Sequence, residues 1–311
     1  MGHHLMLLLP RTPVRAYVGA LAVAGMLVGC PSGPQLSEGV TLTSDLVYGK
    51  GYVRDGEEHV LRDLRFDLIK PTSDAGGNRP AVLMVHGGSF EGGTKTDEDL
   101  VALADRLASD GYVCFLIDYR VASDEPPGGK SRTVVSKLLK LDIPSDAVVR
   151  AAYVDTKTAM RHIRANASTY GINPNRVAVF GESAGAFAAI AAGVSDNADF
   201  ASDGPGFPVP PENNPGVDAK PQAVVDCWGG LMFVAEEFDA ADPPIMIWHG
   251  LFDTTVPYLL AVEVAGKCES AGIPHRLFGL YGEGHGAWDA EWEGQDLGTH
   301  VLEFLDTYLP G

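Results

Sequence analysis

Residues 181–185 read Gly-Glu-Ser-Ala-Gly, and the hydroxyl in the middle of that run is placed to act as a nucleophile. Before it comes Arg176-Val-Ala-Val-Phe180, an apolar run of strand character. After it comes Ala186-Phe-Ala-Ala-Ile-Ala-Ala192, which is Ala-rich and helical. A serine on a sharp strand-to-helix turn has its hydroxyl pushed out at the top of a sheet. Gly181 and Gly185 let the backbone pack where a Cβ would obstruct it. The helix behind the serine supplies unpaired N–H groups at its first turn, where an oxyanion could be stabilised.

A serine hydroxyl needs a base, and the base needs an acid to orient it. The sequence offers both after the serine, each just past an apolar run. Pro244-Ile-Met-Ile-Trp248 leads into His249-Gly-Leu-Phe-Asp253, and strand 275–281 leads into Gly282-Glu-Gly-His285-Gly-Ala-Trp288. Asp253 is assigned as the acid and His285 as the base. His86 and His249 also follow strands and precede Gly. They are read as hydrogen-bonded supports for their loops. Asp242 and Glu283 are weaker candidates for the acid, Glu182 is expected to point away from the nucleophile, and Asp118 and Asp155 read as structural. A tetrahedral intermediate also needs backbone donors. Ala184 supplies one, and the loop His86-Gly-Gly-Ser-Phe90 offers Gly88 and Ser89. Trp228 and Trp288 fall at the same sheet edge and are expected either to line a substrate pocket or to pack in the core.

Strands and helices alternate through most of the chain, the pattern of a mainly parallel sheet covered on both faces: an α/β fold. Helices are expected at about 97–109, 147–166, 257–271 and 296–308, and strands at 81–85, 112–117, 176–180, 222–226, 244–248 and 275–281. Leu64, Phe66 and Leu68 alternate with Asp63, Arg65 and Asp67, the period of a half-buried antiparallel strand. Insertions near 121–144 and 196–221 interrupt the pattern, and long connections of this kind are usually functional. Lys130, Arg132, Lys137 and Lys140 form a basic cluster in the first, read as a solvated face.

The N-terminal segment is read as a targeting signal rather than part of the domain. Arg11 and Arg15 precede the apolar run Ala16–Val28, shorter than the ~20 residues a membrane span needs. The segment ends Leu27-Val-Gly-Cys30. This resembles the lipobox of bacterial lipoproteins. By that resemblance residues 1–29 are removed, Cys30 is lipidated, residues 30–43 are a Pro/Gly/Ser-rich tether, and the enzyme domain is 44–311 at the cell envelope. An ordinary secretory signal is the alternative.

The net charge of −18 disfavours nucleic acid as a partner. No Cys or His spacing suggests a metal, and no cofactor is expected. Cys114 reads as a buried hydrophobe. Cys227 and Cys268 could pair in an oxidising compartment, though nothing requires it.

Taken together, His86-Gly-Gly-Ser-Phe90, Asp118-Tyr-Arg120, Tyr170-Gly-Ile-Asn-Pro-Asn-Arg176, Gly181-Glu-Ser-Ala-Gly185, Asp253-x-x-Val-Pro257 and Gly284-His-Gly286 resemble the α/β-hydrolase superfamily. The likeness is to its hormone-sensitive-lipase-like and carboxylesterase families, over about residues 45–308. It implies the α/β-hydrolase fold and a serine esterase acting on small or polymer-linked carboxylic esters through an acyl-enzyme, with Ser183, Asp253 and His285 as triad. Two positions depart from the family pattern: Ser89 stands where the loop often carries a third Gly, and Ala186 where the elbow often continues with Gly. A serine peptidase of the prolyl-oligopeptidase type shares the triad order but uses a tyrosine side chain at the oxyanion. A non-catalytic binding protein on the same fold is the alternative of another class.

Overall fold

The structure is a computed structural model that describes residues 34–73, 75–128 and 145–311. The signal segment, Cys30 and the basic cluster Lys130, Arg132, Lys137 and Lys140 lie outside the described residues. A compact unit spans Leu36–Gly311.

Its centre is an eight-stranded sheet in the order β1-β2-β4-β3-β5-β8-β9-β10. The strands are β1 (Val40–Asp55), β2 (Glu58–Pro71), β3 (Arg79–Val85), β4 (Val113–Ile117), β5 (Ile172–Glu182), β8 (Ala223–Cys227), β9 (Ile245–Gly250) and β10 (His275–Leu280). β1 and β2 form an antiparallel hairpin, and β2 runs antiparallel to β4. From β4 to β10 every pairing is parallel. The parallel strands β3, β4, β8 and β9 are apolar apart from Arg79 at the start of β3, Asp226 in β8 and His249 in β9, because both of their faces are buried.

Alternate residues divide the core in two. Ala81, Leu83 and Val85 face one layer with α2 (Asp146–Ala165), α4 (Ala184–Val194) and α5 (Leu259–Ala271). Val82 and Met84 face the other layer, with α1 (Glu98–Ser109) and α6 (Leu297–Tyr308). The short helix α3 (Ala167–Tyr170) links α2 to β5. Helix α4 is buried on every side, which explains a sequence apolar all round and rich in Ala and Gly. Helix α1 opens conventionally: the Asp97 carboxylate accepts from the N–H groups of Asp99 and Leu100.

Two departures from the sequence reading concern connections. The segment expected to be a tether enters the fold early. β1 begins at Val40, Leu36 and Leu42 pack on the α1 layer, and Ser37 hydrogen-bonds Asp105. The insertion 196–221 is anchored. It carries a small hairpin, β6 (Ser202–Gly204) with β7 (Phe207–Pro208), and Asp203 forms a buried ion pair with Arg120 at 2.5 Å. Arg120 also binds Asp155 of α2 at 2.7 Å, so one guanidinium ties the insertion to the helix layer. Asp155 is structural, as expected.

Cys114, Cys227 and Cys268 are buried free thiols, so Cys227 and Cys268 are not paired. A further short hairpin, β11 (Glu291–Trp292) with β12 (Gln295–Asp296), precedes α6. Among the described residues no helix is long and apolar enough to cross a membrane, and no cluster of metal-ligating side chains is present.

Candidate active site

Ser183 occupies the turn between β5 and α4 with φ of 52° and ψ of −119°. This left-handed conformation costs a non-glycine residue about 1–3 kcal/mol and persists only where the surroundings enforce it. Here they do. A Cβ on Gly185 would collide with the carbonyls of Val85 and His86, and one on Gly181 with the backbone of Gly185. The Ser183 N–H is held by the carbonyl of Cys227 at 2.9 Å.

The three residues expected to form a triad meet. Ser183 Oγ lies 2.9 Å from His285 Nε2, and His285 Nδ1 lies 2.7 Å from Asp253 Oδ2. The acid and base loops are laced by their backbones: Leu251 N–H donates to Leu280, and Phe252 N–H to Glu283. Gly250 permits this contact, since a Cβ there would enter the backbone of Glu283 and Gly284. Asp253 Oδ1 accepts from the N–H groups of Thr255 and Val256 at 2.8 and 2.9 Å. Burial alone would raise the Asp253 carboxyl. Hydrogen bonds from His249, His285 and Val256 outweigh burial and hold it well below the usual carboxylate range. Neither weaker candidate for the acid takes that place: Asp242 pairs with Lys220, and the bond to His285 Nδ1 comes from Asp253 rather than Glu283.

The loop after β3 is as constrained as the elbow. Gly88, Ser89 and Phe90 have φ of 108°, 57° and 59°. Among the described residues, the N–H groups of Gly88 and Ser89 donate to no acceptor. Ala184, first in α4, has no intrahelical acceptor for its N–H. Three free backbone donors are therefore contributed by the two loops expected to provide them. His86 braces its loop, as expected: Nδ1 donates to the Gly87 carbonyl at 2.6 Å, and its ring stacks on Tyr119 at 4.3 Å. The Tyr119 hydroxyl donates to the carbonyls of His86 and Gly87. Asp118 accepts from the Lys95 N–H at 2.7 Å.

Glu182 does point away from the nucleophile, and its destination went unread in the sequence. Its carboxylate accepts from the Gly87 N–H and from Trp228 Nε1. It thereby joins the oxyanion loop, the elbow and the loop after β8. Burial raises its pKa, against the two donors that lower it.

Trp228 corrects an expectation. It is fully buried, with φ of 44°, and its ring sits edge-on to His285 at 6.3 Å. It supports the base from beneath and presents no surface to a ligand. Trp288 is half-buried and packs against Trp228 and Phe180. Among the described residues the exposed aromatics are Phe233, Phe252 and Tyr281; Phe252 lies on the acid loop and Tyr281 before the base loop, with ring centroids 5.6 Å apart. Nothing in their local sequence marks them, because exposure is a property of the assembled loops.

Strand order, elbow and triad define the class: an α/β-hydrolase fold carrying a Ser-His-Asp constellation. Comparison with known proteins agrees. The BD-FAE family model matches residues 142–237, and the prolyl oligopeptidase family model matches residues 227–311. The chain is 33% identical over 130 residues to the quorum-quenching protein AidA of Acinetobacter baumannii, covering 42% of this chain and 35% of that one. It is 32% identical over 118 residues to esterase LipC of Mycobacterium tuberculosis, covering 38% and 24% respectively. These matches thus span about a third or less of the curated relatives. Among solved structures, Thermogutta terrifontis esterase 2 phosphorylated by paraoxon superposes with a TM-score of 0.64 at 22% identity, over 89% of this chain and 98% of that one. The same esterase has been solved with propionate bound and with butyrate bound.

Proposed function

We propose that the protein is a serine esterase that hydrolyses small carboxylic esters through an acyl-enzyme. The observation that carries this reading is the unbroken run Ser183 Oγ–His285–Asp253, with steps of 2.9 and 2.7 Å. In the forward step Ser183 Oγ attacks the ester carbonyl while His285 Nε2 takes the hydroxyl proton. Negative charge collects on the former carbonyl oxygen, within the donors offered by Gly88, Ser89 and Ala184. Collapse breaks the bond to the alkoxy oxygen, which leaves as the alcohol with the proton from His285. Water, deprotonated by the same nitrogen, then attacks the acyl-enzyme. The carboxylic acid departs and Ser183 regains its proton. Asp253 stays ionised throughout and holds the imidazole in the tautomer that presents Nε2 bare to the serine.

A small acyl group is supported by the propionate and butyrate found in the Thermogutta esterase. Phe252 and Tyr281 would form an aromatic rim for the apolar part of the substrate. The test is hydrolysis of p-nitrophenyl acetate, butyrate and decanoate, with paraoxon added to label the protein. Turnover of the short esters and a phosphoryl adduct on Ser183 are expected. No turnover, or an adduct elsewhere, would overturn the reading.

A serine peptidase is the second reading, favoured by the prolyl oligopeptidase match over the acid and base loops. The loop His86–Phe90, with its backbone donors, favours the ester. Cleavage of peptidyl p-nitroanilides at rates rivalling the esters would reverse that order.

For location we propose lipid anchoring at Cys30, on the strength of Leu27-Val-Gly-Cys30. Two or three acyl chains, at about 0.8 kcal/mol per methylene, hold a protein stably at a bilayer. Mass spectrometry of the mature N-terminus is the test: a diacylglyceryl Cys30 is expected, and an unmodified Cys30 or cleavage elsewhere would replace the anchor with a secretory signal.

A further inference from the structure

A peptide bond is a rigid plane with its carbonyl and its N–H on opposite edges, so a group that holds one edge aims the other. The three backbone donors at the oxyanion site share one arrangement. The Ala184 N–H lies opposite the Ser183 carbonyl, which accepts from the N–H groups of Ala186 and Phe187 at 3.0 and 3.4 Å. The Ser89 N–H lies opposite the Gly88 carbonyl, which accepts from the N–H groups of Glu91 and Gly92 at 2.9 and 3.1 Å. The Gly88 N–H lies opposite the Gly87 carbonyl, and among the described residues no backbone group holds that edge. It accepts instead from His86 Nδ1 at 2.6 Å and from the Tyr119 hydroxyl at 3.2 Å. A helix and a turn aim two of the donors, and two side chains aim the third.

We propose that Tyr119 is a positioning residue for the reaction: with His86 it fixes and polarises the Gly87–Gly88 peptide, so that the Gly88 N–H meets the oxyanion already oriented. Tyr119 stands two residues past the end of β4, outside the loop it holds. Its single proton is shared between the Gly87 carbonyl and the His86 carbonyl, the latter at 3.0 Å. The His86 carbonyl belongs to the preceding peptide, whose N–H edge, on Gly87, is fastened to the Glu182 carboxylate. One phenol thus grips two successive peptide planes, and the edge of that pair left free is the Gly88 N–H. Donation to a carbonyl also draws electrons away from the N–H of the same peptide and makes it a stronger donor.

The surroundings keep these bonds dry and the two donors protonated. Tyr119 and His86 are both buried, with ring centroids 4.3 Å apart. A Cβ on Gly93 would run into the Gly87 carbonyl and His86 Nδ1, so the backbone closes directly over their bond. A Cβ on Gly185 would run into the His86 carbonyl, which places the elbow against the same peptides. Burial pushes the Tyr119 phenol well above its ordinary value, and it keeps its proton at neutral pH. Burial pulls His86 down and leaves the ring neutral. A carbonyl cannot donate, so the one hydrogen of that ring sits on Nδ1.

This role for Tyr119 rests on the esterase reading, and Tyr119→Phe tests it, because that change keeps a ring stacked on His86 and removes one hydroxyl. Turnover of p-nitrophenyl butyrate should fall about tenfold in kcat with KM nearly unchanged, part of the 10²–10³ that a whole donor carries. A trifluoromethyl ketone, whose adduct with Ser183 sets a negative oxygen among the same donors, should bind about tenfold more weakly, in step with the loss in kcat. One arm needs no turnover: the 15N resonance of Gly88 should move upfield in Tyr119→Phe as its peptide loses a donor. His86→Asn, which restores an N–H near the place of Nδ1, should outperform His86→Leu, and this pair reads the same plane should Tyr119→Phe fail to fold. More than half the wild-type kcat in Tyr119→Phe, a loss carried in KM, a ketone bound as tightly as by the wild type, or equal activity in the two His86 variants would overturn the proposal. Failure of the esterase reading itself would look different: no ester turnover in the wild type and no paraoxon adduct on Ser183, with the Gly88 resonance still answering to Tyr119→Phe.

Discussion

Both oxygens of Asp253 are fully engaged, Oδ1 by two backbone N–H groups and Oδ2 by two imidazoles. Its folded pKa lies below its unfolded one. Its contribution to stability is therefore complete above the unfolded value of about 3.9 and is lost only as pH falls through the depressed folded value. Asp253→Asn should lose about 10⁴ in kcat, because the amide favours the wrong imidazole tautomer. The difference in Tm between Asp253→Asn and the wild type should be constant from pH 7 to 5 and shrink towards pH 2. A difference that grew on acidification would contradict the sign of the shift. Ser183→Ala should remove on the order of 10⁴ to 10⁶ in turnover while leaving the fold intact; labelling by paraoxon should vanish with it. Glu182→Ala should lower kcat about tenfold to a hundredfold by loosening the Gly87 N–H and hence the donors beside it, a fraction of the 10²–10³ carried by a donor itself. The triad was legible because each member lies within five residues of the end of a recognisable strand. The roles of Glu182 and His249 were not. Glu182 meets partners 46 and 95 positions away, and His249 reaches the Val256 carbonyl and Asp253 only once the acid loop has folded.

At the scale of elements, apolar runs located the parallel strands and their helices to within a few residues, since burial on both faces leaves little room for any other pattern. β1 was harder. Irregularities between Thr43 and Leu46, and between Val47 and Gly49, reset its alternation twice, so its sixteen residues never show a sustained period of two. Gly51 in the same strand lies against the Arg120 guanidinium, a contact with no local signature. Arg120 itself is the element-level fastening. It is fully buried between Asp155 and Asp203, and removing one partner of such a pair leaves uncompensated charge. Asp203→Ala should cost about 3 kcal/mol. Urea unfolding reads this directly, and an unchanged midpoint would mean that the insertion 196–221 is held by other contacts. Phe252→Ala tests the aromatic rim: KM for p-nitrophenyl butyrate should rise severalfold with kcat little changed.

For the molecule as a whole, the composition argued for an acidic α/β domain, and the boundary with the N-terminal segment was misplaced by several residues. Leu36, Val40 and Leu42 are too widely spaced to signal a core, yet all three pack on the α1 layer. A chain beginning at residue 34 should match the longer protein in Tm, whereas one beginning at residue 44 should lose on the order of 3 kcal/mol of apolar burial. The sheet order has one more result. Ser183 directly follows β5, which is bonded on both sides, by β3 and β8. His285 follows β10, which is an edge strand bonded only to β9 and half-exposed along its length. Cooperative units at a sheet margin open more readily than its centre. Gentle heating should therefore silence the enzyme before it melts: activity lost first, amide exchange quickening in β10 ahead of β5, and full recovery on cooling as the margin re-forms and returns the base to a serine that never moved.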